Sequence, residues 1–367
     1  MLLELQTRCT ALGLVCMLLC AVGSTRAQAG RPNVGAKSVR EPTNVGSTVL
    51  LGPYVNSQVR PQDQIFLIST RALDSQCWGA DMSRLQCRRG DFCDDGCVRS
   101  WHDVPLDVFY AADDPDITTI VVVHGNRVQS GEDIQRGLMI YRALVRNAMS
   151  DAPVRLLIFS WPSSPIRGPL RDFRTKAGLA DLNSHHLAWV LDQIAPDVPL
   201  AVFGYSYGAR VINGALHLMG GGTLFGQPLD QHVHLERAPV RAVFLAAALD
   251  DNWLLPNQRH GMALGQIDWL LLITNRRDPA MKHYHFTDSF DRPQALGRHG
   301  VRYSAWLGGV PCRIEQIEAC RSVGHHHALE NYLTASDLMR EAWRVVSFQD
   351  VASAARPCAY LESRSEN

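Results

Sequence analysis

The segment Phe203-Gly204-Tyr205-Ser206-Tyr207-Gly208-Ala209-Arg210 joins two different periodicities. Before it, residues 199 to 204 (PLAVFG) are apolar at nearly every position, as in a buried strand. After it, from Ala209 to Met219, apolar side chains recur at helical spacing. A strand that turns into a helix through G-x-S-x-G carries its serine on a strained turn at the strand's tip. Glycines flank such a serine because a Cβ there would strike the neighbouring strand and helix. The helix N-terminus also aims its dipole and its unbonded N–H groups at the same point. Ser206 is therefore the candidate nucleophile. The plainer alternative is a glycine-rich turn without chemistry.

Similar runs lie on both sides of this turn. Gln64–Thr70 (QIFLIST), Thr118–Val123 (TTIVVV), Arg155–Ser160 (RLLIFS), Val240–Ala247 (VRAVFLAA) and Trp269–Thr274 (WLLLIT) are short and mostly apolar. Strands buried on both faces have this composition. Helical spacing appears between them. Glu132 to Met149 places Ile134, Leu138, Ile140, Leu144 and Val145 towards one side, and Leu179 to Ile194 carries Leu182, Leu187, Val190 and Leu191. Strands alternating with helices predict right-handed crossovers and a doubly wound, mainly parallel sheet with helices on both faces. No internal repeat or low-complexity block is present.

The chain has 367 residues, 46% hydrophobic and 20% charged, with a formal net charge of zero. That composition is globular, and it offers no basic excess to hold nucleic acid. Arg8, the apolar run Cys9 to Val22 and the small-residue end Ala27-Gln28-Ala29 read as a secretory signal over residues 1–29. An uncleaved membrane anchor is the rival reading. No later stretch approaches the ~18 apolar residues of a membrane helix, so no transmembrane span is expected in the mature chain. Residues 30–60, rich in Gly, Pro, Ser and Asn, read as a linker or mobile arm. Residues 61–350 then form the catalytic domain, and 351–367 a C-terminal tail. Export makes the chain periplasmic or extracellular.

Of ten cysteines, three leave with the signal. Cys77, Cys87, Cys93 and Cys97 crowd one loop, read as a Cys-rich insertion at about 77–97. Cys312 and Cys320 lie close in sequence, and Cys358 is near the end. In an oxidising compartment such clusters are read as disulfides, with Cys312–Cys320 a candidate brace before the later histidines. Zinc is the alternative, but paired C-x-x-C knuckles are missing.

A serine nucleophile needs a base and a group that orients the base. Asn275-Arg276-Arg277-Asp278-Pro279 follows the strand ending at Thr274, which puts Asp278 at a strand's carboxyl end. Its bland role is to cap the next helix, for which Pro279 is suited. Asp250 and Asp251, after the preceding strand, are the other candidate acids. For the base, Gly324-His325-His326-His327-Ala328 offers three histidines, and the residues themselves leave the choice open. Adjacent side chains seldom converge on one metal ion. His283, His285 and His299 read as loop residues.

These pieces, from about residue 60 to 340, resemble the α/β-hydrolase superfamily. More narrowly, they resemble a bacterial group of such hydrolases of unknown function. The matching segments are Ser69-Thr70-Arg71, His124-Gly125-Asn126-Arg127, Ser160-Trp161-Pro162, Gly204 to Gly208, Asn275 to Pro279 and the histidines before Tyr332. The resemblance implies the chain order Ser, acid, His, and it points to His327, five positions before Tyr332. It also implies an oxyanion hole built from the N–H groups of Tyr207 and Asn126. His124 and Gly125 serve otherwise as a tight strand exit. The expected chemistry is acyl transfer to Ser206 from a small-molecule or acyl substrate, without metal or organic cofactor. Carboxylic-ester hydrolysis is the first expectation. A peptidase, amidase or acyltransferase with the same triad, or a silent binding protein on this fold, are the alternatives.

Overall fold

The computed structural model describes residues 59–73, 81–92, 98–229, 237–286, 293–302, 304–310 and 312–348. The signal, most of the proposed arm, Cys77, Cys93, Cys97, Cys358 and the tail lie outside the described residues.

Nine strands form one sheet: β1 (Gln64–Ser69), β2 (Gln86–Phe92), β3 (Val98–Val104), β4 (Thr118–Val123), β5 (Val154–Ser160), β6 (Leu200–Tyr205), β7 (Val240–Leu245), β8 (Ile267–Thr274) and β9 (Arg313–Glu318). Their order is β3-β2-β1-β5-β4-β6-β7-β8-β9. Every pairing from β1 through β9 is parallel, and β2 and β3 are antiparallel additions at one edge. The helices used below are α1 (Leu106–Tyr110), α2 (Glu132–Arg146), α3 (Pro169–Asp192), α4 (Tyr207–Met219), α5 (Pro279–Lys282), α6 (Leu296–His299), α7 (Cys320–Val323), α8 (Leu329–Leu333) and α9 (Ser336–Val346).

Alternate strand residues feed two cores. Val121, Val123, Leu157 and Phe159 join Leu187, Val190 and Leu191 of α3 and Val211, Ile212 and Ala215 of α4 on one face. Ile120, Val122, Leu156 and Ile158 join Leu138, Ile140 and Tyr141 of α2 and Met339, Ala342 and Trp343 of α9 on the other. Both faces of the central strands are thus covered, which is why their sequences show no alternation. The sheet is doubly wound, as its sequence predicts.

The register brings one set of loops together. Val123 stands opposite Phe159 and Gly204, Tyr205 opposite Leu245, and Leu245 opposite Ile273. The carboxyl ends of β4 to β8 therefore form one edge. The chain runs from β4 outward to β5, then returns to β6 on the far side of β4. Such a reversal opens a crevice at the strands' carboxyl ends, where α/β sheets bind ligands. The loops after β4 and β6 flank it.

Three features depart from the sequence reading. Residues 86–92 and 98–104, read as parts of an inserted loop or its flank, are the strands β2 and β3. Their Arg, Gly and Asp content conceals them because they lie at an edge and are largely solvated. The helix expected from Leu179 begins ten residues earlier, at Pro169. No disulfide joins Cys312 and Cys320, which corrects the proposed brace. They bracket the six-residue β9, and a strand of that length separates its ends by roughly 20 Å, whereas a bridge needs Cα atoms within ~7 Å. Among the described residues, no helix is long and apolar enough to cross a membrane.

Candidate active site

Ser206 occupies the turn between β6 and α4 with φ 54° and ψ −119°. A non-glycine residue held there stores about 1–3 kcal/mol of strain and needs the surroundings to enforce it. Three backbone bonds do so. The Ser206 N–H donates to Leu245 O at 2.9 Å, and its carbonyl accepts from the N–H groups of Ala209 and Ala248, each at 3.1 Å. The two glycines have direct steric reasons. A Cβ on Gly204 would stand 2.6 Å from the backbone of Ala209, and one on Gly208 would stand 2.0 Å from Val123 O. The elbow can form only where helix α4 meets β4 and β6 at this distance.

Asp278 and His327 meet beside this edge. His327 Nδ1 donates to Asp278 Oδ2 at 2.6 Å, and the carboxylate is fully buried while the imidazole is 20% exposed. Asp278 Oδ1 accepts from the N–H groups of Ala280 (2.8 Å) and Met281 (3.2 Å), so the cap role and the pairing with histidine coexist. Tyr332 Oη adds a longer contact to Oδ2 at 3.4 Å. With Nδ1–H bound to the carboxylate, the lone pair of the neutral ring lies on Nε2, the nitrogen a general base uses. Among the described residues no hydrogen bond joins Ser206 Oγ to His327. Catalytic contacts of this kind often tighten only with substrate bound.

The histidine loop is braced from the strand ends. Tyr205, the residue before the serine, donates from Oη to His327 O at 2.6 Å, and the two rings lie 5.4 Å apart. Asn275 Nδ2 donates to Gly324 O at 3.0 Å and to Tyr332 Oη at 3.2 Å. His325 and His326 are exposed, and neither bonds to Asp278. Of the other candidate acids, Asp250 accepts a 2.8 Å bond from Tyr284 Oη rather than from a histidine. Burial pushes its carboxyl up to about 6. Tyr284 is itself buried. Among the described residues no group of three His, Cys, Asp or Glu is arranged for a metal.

The loop after β4 lies against the elbow. A Cβ on Gly125 would stand 3.2 Å from Ser206 Cβ. The N–H of Asn126 has no hydrogen-bond partner among the described residues, and Tyr207 opens α4, where first-turn N–H groups lack helical acceptors. Both donors are therefore available at the crevice. His124 Nδ1 donates to Gly125 O at 2.9 Å, while its Nε2 accepts from the Trp161 N–H at 3.3 Å. Trp161 Nε1 returns a bond to His124 O at 2.9 Å. Burial pushes His124 down to about 4, so the ring is neutral and this tautomer is held. Gly125 C=O and Asn126 N–H belong to one planar peptide. Pinning the oxygen on one side fixes the direction of the N–H on the other.

The remaining motif pieces converge on the same loop. Arg71 Nε donates to Asp133 Oδ2 (3.0 Å) and Ser160 Oγ (2.8 Å), and its Nη2 donates to Val128 O (2.9 Å). Ser160 Oγ donates in turn to Asp133. Ser163 Oγ bridges both backbone groups of Val128. The segments Ser69–Arg71, His124–Arg127 and Ser160–Pro162 thus hold the crevice wall rather than the reacting groups. Sequence reasoning had no signal for Tyr205 and Asn275 as braces, since their partners, backbone carbonyls and the Tyr332 hydroxyl, lie more than forty positions away.

Sheet order, register and elbow together are those of the α/β-hydrolase fold. No protein-family model and no curated protein matches the sequence. Solved structures similar to the chain include esterase B from Lactobacillus rhamnosis inhibited with a C6-C4 SN3 compound. That one has 13% identity and a TM-score of 0.34, covering 81% of this chain and 91% of that one. An acyl-protein thioesterase 2 from Zea mays has 16% identity and a TM-score of 0.31, with 62% and 94% covered. The catalytic core domain of an acetyl xylan esterase from Trichoderma reesei has 13% identity and a TM-score of 0.26, with 38% and 68% covered.

Proposed function

We propose that this chain is an exported serine hydrolase that acts on carboxylic esters, with Ser206 as nucleophile, His327 as base and Asp278 as its orienting acid. The observation that carries the reading is the buried Asp278–His327 pair, at 2.6 Å, on the same sheet edge as a serine held at φ 54°. A cap alone needs no histidine, and a plain turn needs no strained serine.

In the proposed reaction His327 Nε2 takes the Ser206 proton as Oγ bonds to the ester carbonyl carbon. The resulting oxyanion receives the N–H groups of Tyr207 and Asn126, a form of stabilisation that acts only as charge develops. The proton passes from His327 to the departing alkoxide, leaving an acyl-enzyme. Water, deprotonated by His327, then attacks the acyl carbon and releases the acid, while Ser206 regains its proton. Asp278 keeps its negative charge and stabilises the imidazolium.

Labelling by a fluorophosphonate, with Ser206→Ala as control, tests the reading. Label that depends on Ser206 is the expected result. Absence of label on folded protein would move the chain to the binding-protein class. An ester and amide panel then separates the ester reading from peptidase or amidase activity. Export rests on the sequence of residues 1–29. It predicts an exported form beginning at Gly30, and protein retained inside the cell with an intact Met1 would oppose it.

A further inference from the structure

We propose that Asp172 is a positioning residue that aims the Asn126 N–H at the oxyanion, an assignment that rests on the serine-hydrolase reading above. Asp172 lies in the first turn of α3, is 1% exposed and takes no part in the Ser–His–Asp set. A buried carboxylate is costly unless its oxygens are bonded, and the partners here belong to two different loops. Its Oδ1 accepts from the Ile166 N–H at 3.1 Å. Its Oδ2 accepts from Asn126 Nδ2 at 3.1 Å, with the Arg127 guanidinium at 3.5 Å.

The Asn126 side chain is fixed at both ends by this arrangement. Its Oδ1 accepts from the Arg127 N–H at 2.8 Å, where the chain turns through φ 61°. Its Nδ2 is tied to Asp172. The residue therefore cannot rotate without breaking the bond to α3. His124 holds the Gly125–Asn126 peptide from its carbonyl side, and Asp172 holds the same residue from its side chain. The first restraint is local to the turn, but the second is not, since Asp172 is 46 positions away in sequence. The neighbouring Phe173 carbonyl accepts from Tyr207 Oη at 3.2 Å. The first turn of α3 thus contacts both residues whose N–H groups form the hole.

An ordinary helix-terminus role is the competing explanation, because an acid in a first turn also complements the dipole. Substitution by amide separates the two. Asp172→Asn can still accept from Ile166 through Oδ1, but its Nδ2 then faces Asn126 Nδ2, donor against donor. Turning the Asn126 amide only moves the conflict to the Arg127 N–H. Exchanging the pair, Asn126→Asp with Asp172→Asn, restores the bond between the two side chains with its polarity reversed and leaves the Arg127 and Ile166 N–H groups their acceptors, giving up only the 3.5 Å contact of the Arg127 guanidinium. The backbone donor at position 126 is untouched throughout.

The experiment measures the second-order rate of fluorophosphonate labelling of Ser206, which requires no natural substrate. kcat and KM on a 4-nitrophenyl ester are measured beside it. Asp172→Asn should label at least about tenfold more slowly and lose kcat with KM little changed. Outright loss of an oxyanion donor costs ~10²–10³, which bounds the effect from above. The exchanged pair should recover most of the rate, and thermal midpoints show whether each variant is folded. A folded Asp172→Asn that labels at the wild-type rate overturns the proposal while leaving the serine reading intact. So does a slow variant that the exchange fails to rescue although it is equally folded. A wild-type protein that does not label overturns both.

Discussion

Replacing Asp278 by Asn asks whether that carboxylate orients a base or only caps a helix. The substitution keeps size and shape, and one oxygen remains for the N–H groups of Ala280 and Met281, now at 2.8 and 3.2 Å. If the amide oxygen stays there, Nδ2 faces His327 Nδ1, which today donates across 2.6 Å. Two donors cannot share that contact, so His327 must shift its proton to Nε2. The nitrogen required as base is then already protonated. In a serine protease of unrelated fold the equivalent change lowers kcat by ~10⁴, which is about 5.4 kcal/mol of transition-state stabilisation. The same order is expected here, with a thermal midpoint close to wild type because the cap survives. Steady-state kinetics on a 4-nitrophenyl ester and the rate of serine labelling provide the assay. A folded Asp278→Asn variant within tenfold of wild type in both would refute the argument and leave Asp278 as a cap.

Two other outcomes follow from the packing and the buried histidine. Gly208→Ala should lose at least the ~1–3 kcal/mol typical of overpacking, because its Cβ would meet Val123 O at 2.0 Å and both sides are backbone. A urea midpoint unchanged from wild type would disprove that close approach. His124 is held near 4 by burial, against about 6.5 in an unfolded chain. The unfolded state therefore binds the extra proton between those values. The His124 contribution is complete above about pH 6.5 and is lost as pH falls towards 4, up to ~3 kcal/mol. Asp250, raised to about 6, acts in the opposite sense over part of this range. The difference between wild type and His124→Asn isolates the histidine. Denaturant midpoints measured from pH 7 to 4 should converge as pH falls, and parallel curves would exclude the effect.

The central strands β1 and β4 to β8 were legible in the sequence because each is apolar on both faces, a pattern that leaves few other environments. The elbow was legible for a different reason. The G-x-S-x-G spacing shows in the chain itself, although only the Gly204 demand comes from a near neighbour, Ala209, while Gly208 is required by Val123 on another strand. β9 was not resolved as a strand, since RIEQIE carries charge at Arg313, Glu315 and Glu318 without strict alternation and becomes a strand through pairing with β8. The first ten residues of α3 were missed for the same kind of reason. They lack an apolar stripe, and Asp172 and Phe173 anchor them to Asn126 and Tyr207 instead.

The sequence by itself determined the alternation of strand and helix and marked the turn at Ser206, while the order of serine, acid and histidine was what the resemblance implied. The alternation follows from hydrophobic periodicity, and the turn from two glycines spaced about one serine between a strand and a helix. The three histidines at 325 to 327 are nearly equivalent by that measure, as are Asp250, Asp251 and Asp278. Only the tertiary structure set His327 against Asp278, gave Asp250 to Tyr284 and tied Asn126 to Asp172. It also placed Cys312 and Cys320 at opposite ends of a strand. Each of those pairings depends on where a partner elsewhere in the fold comes to rest. That position is fixed by the sheet register and the packing of helices on its two faces, which no local pattern encodes.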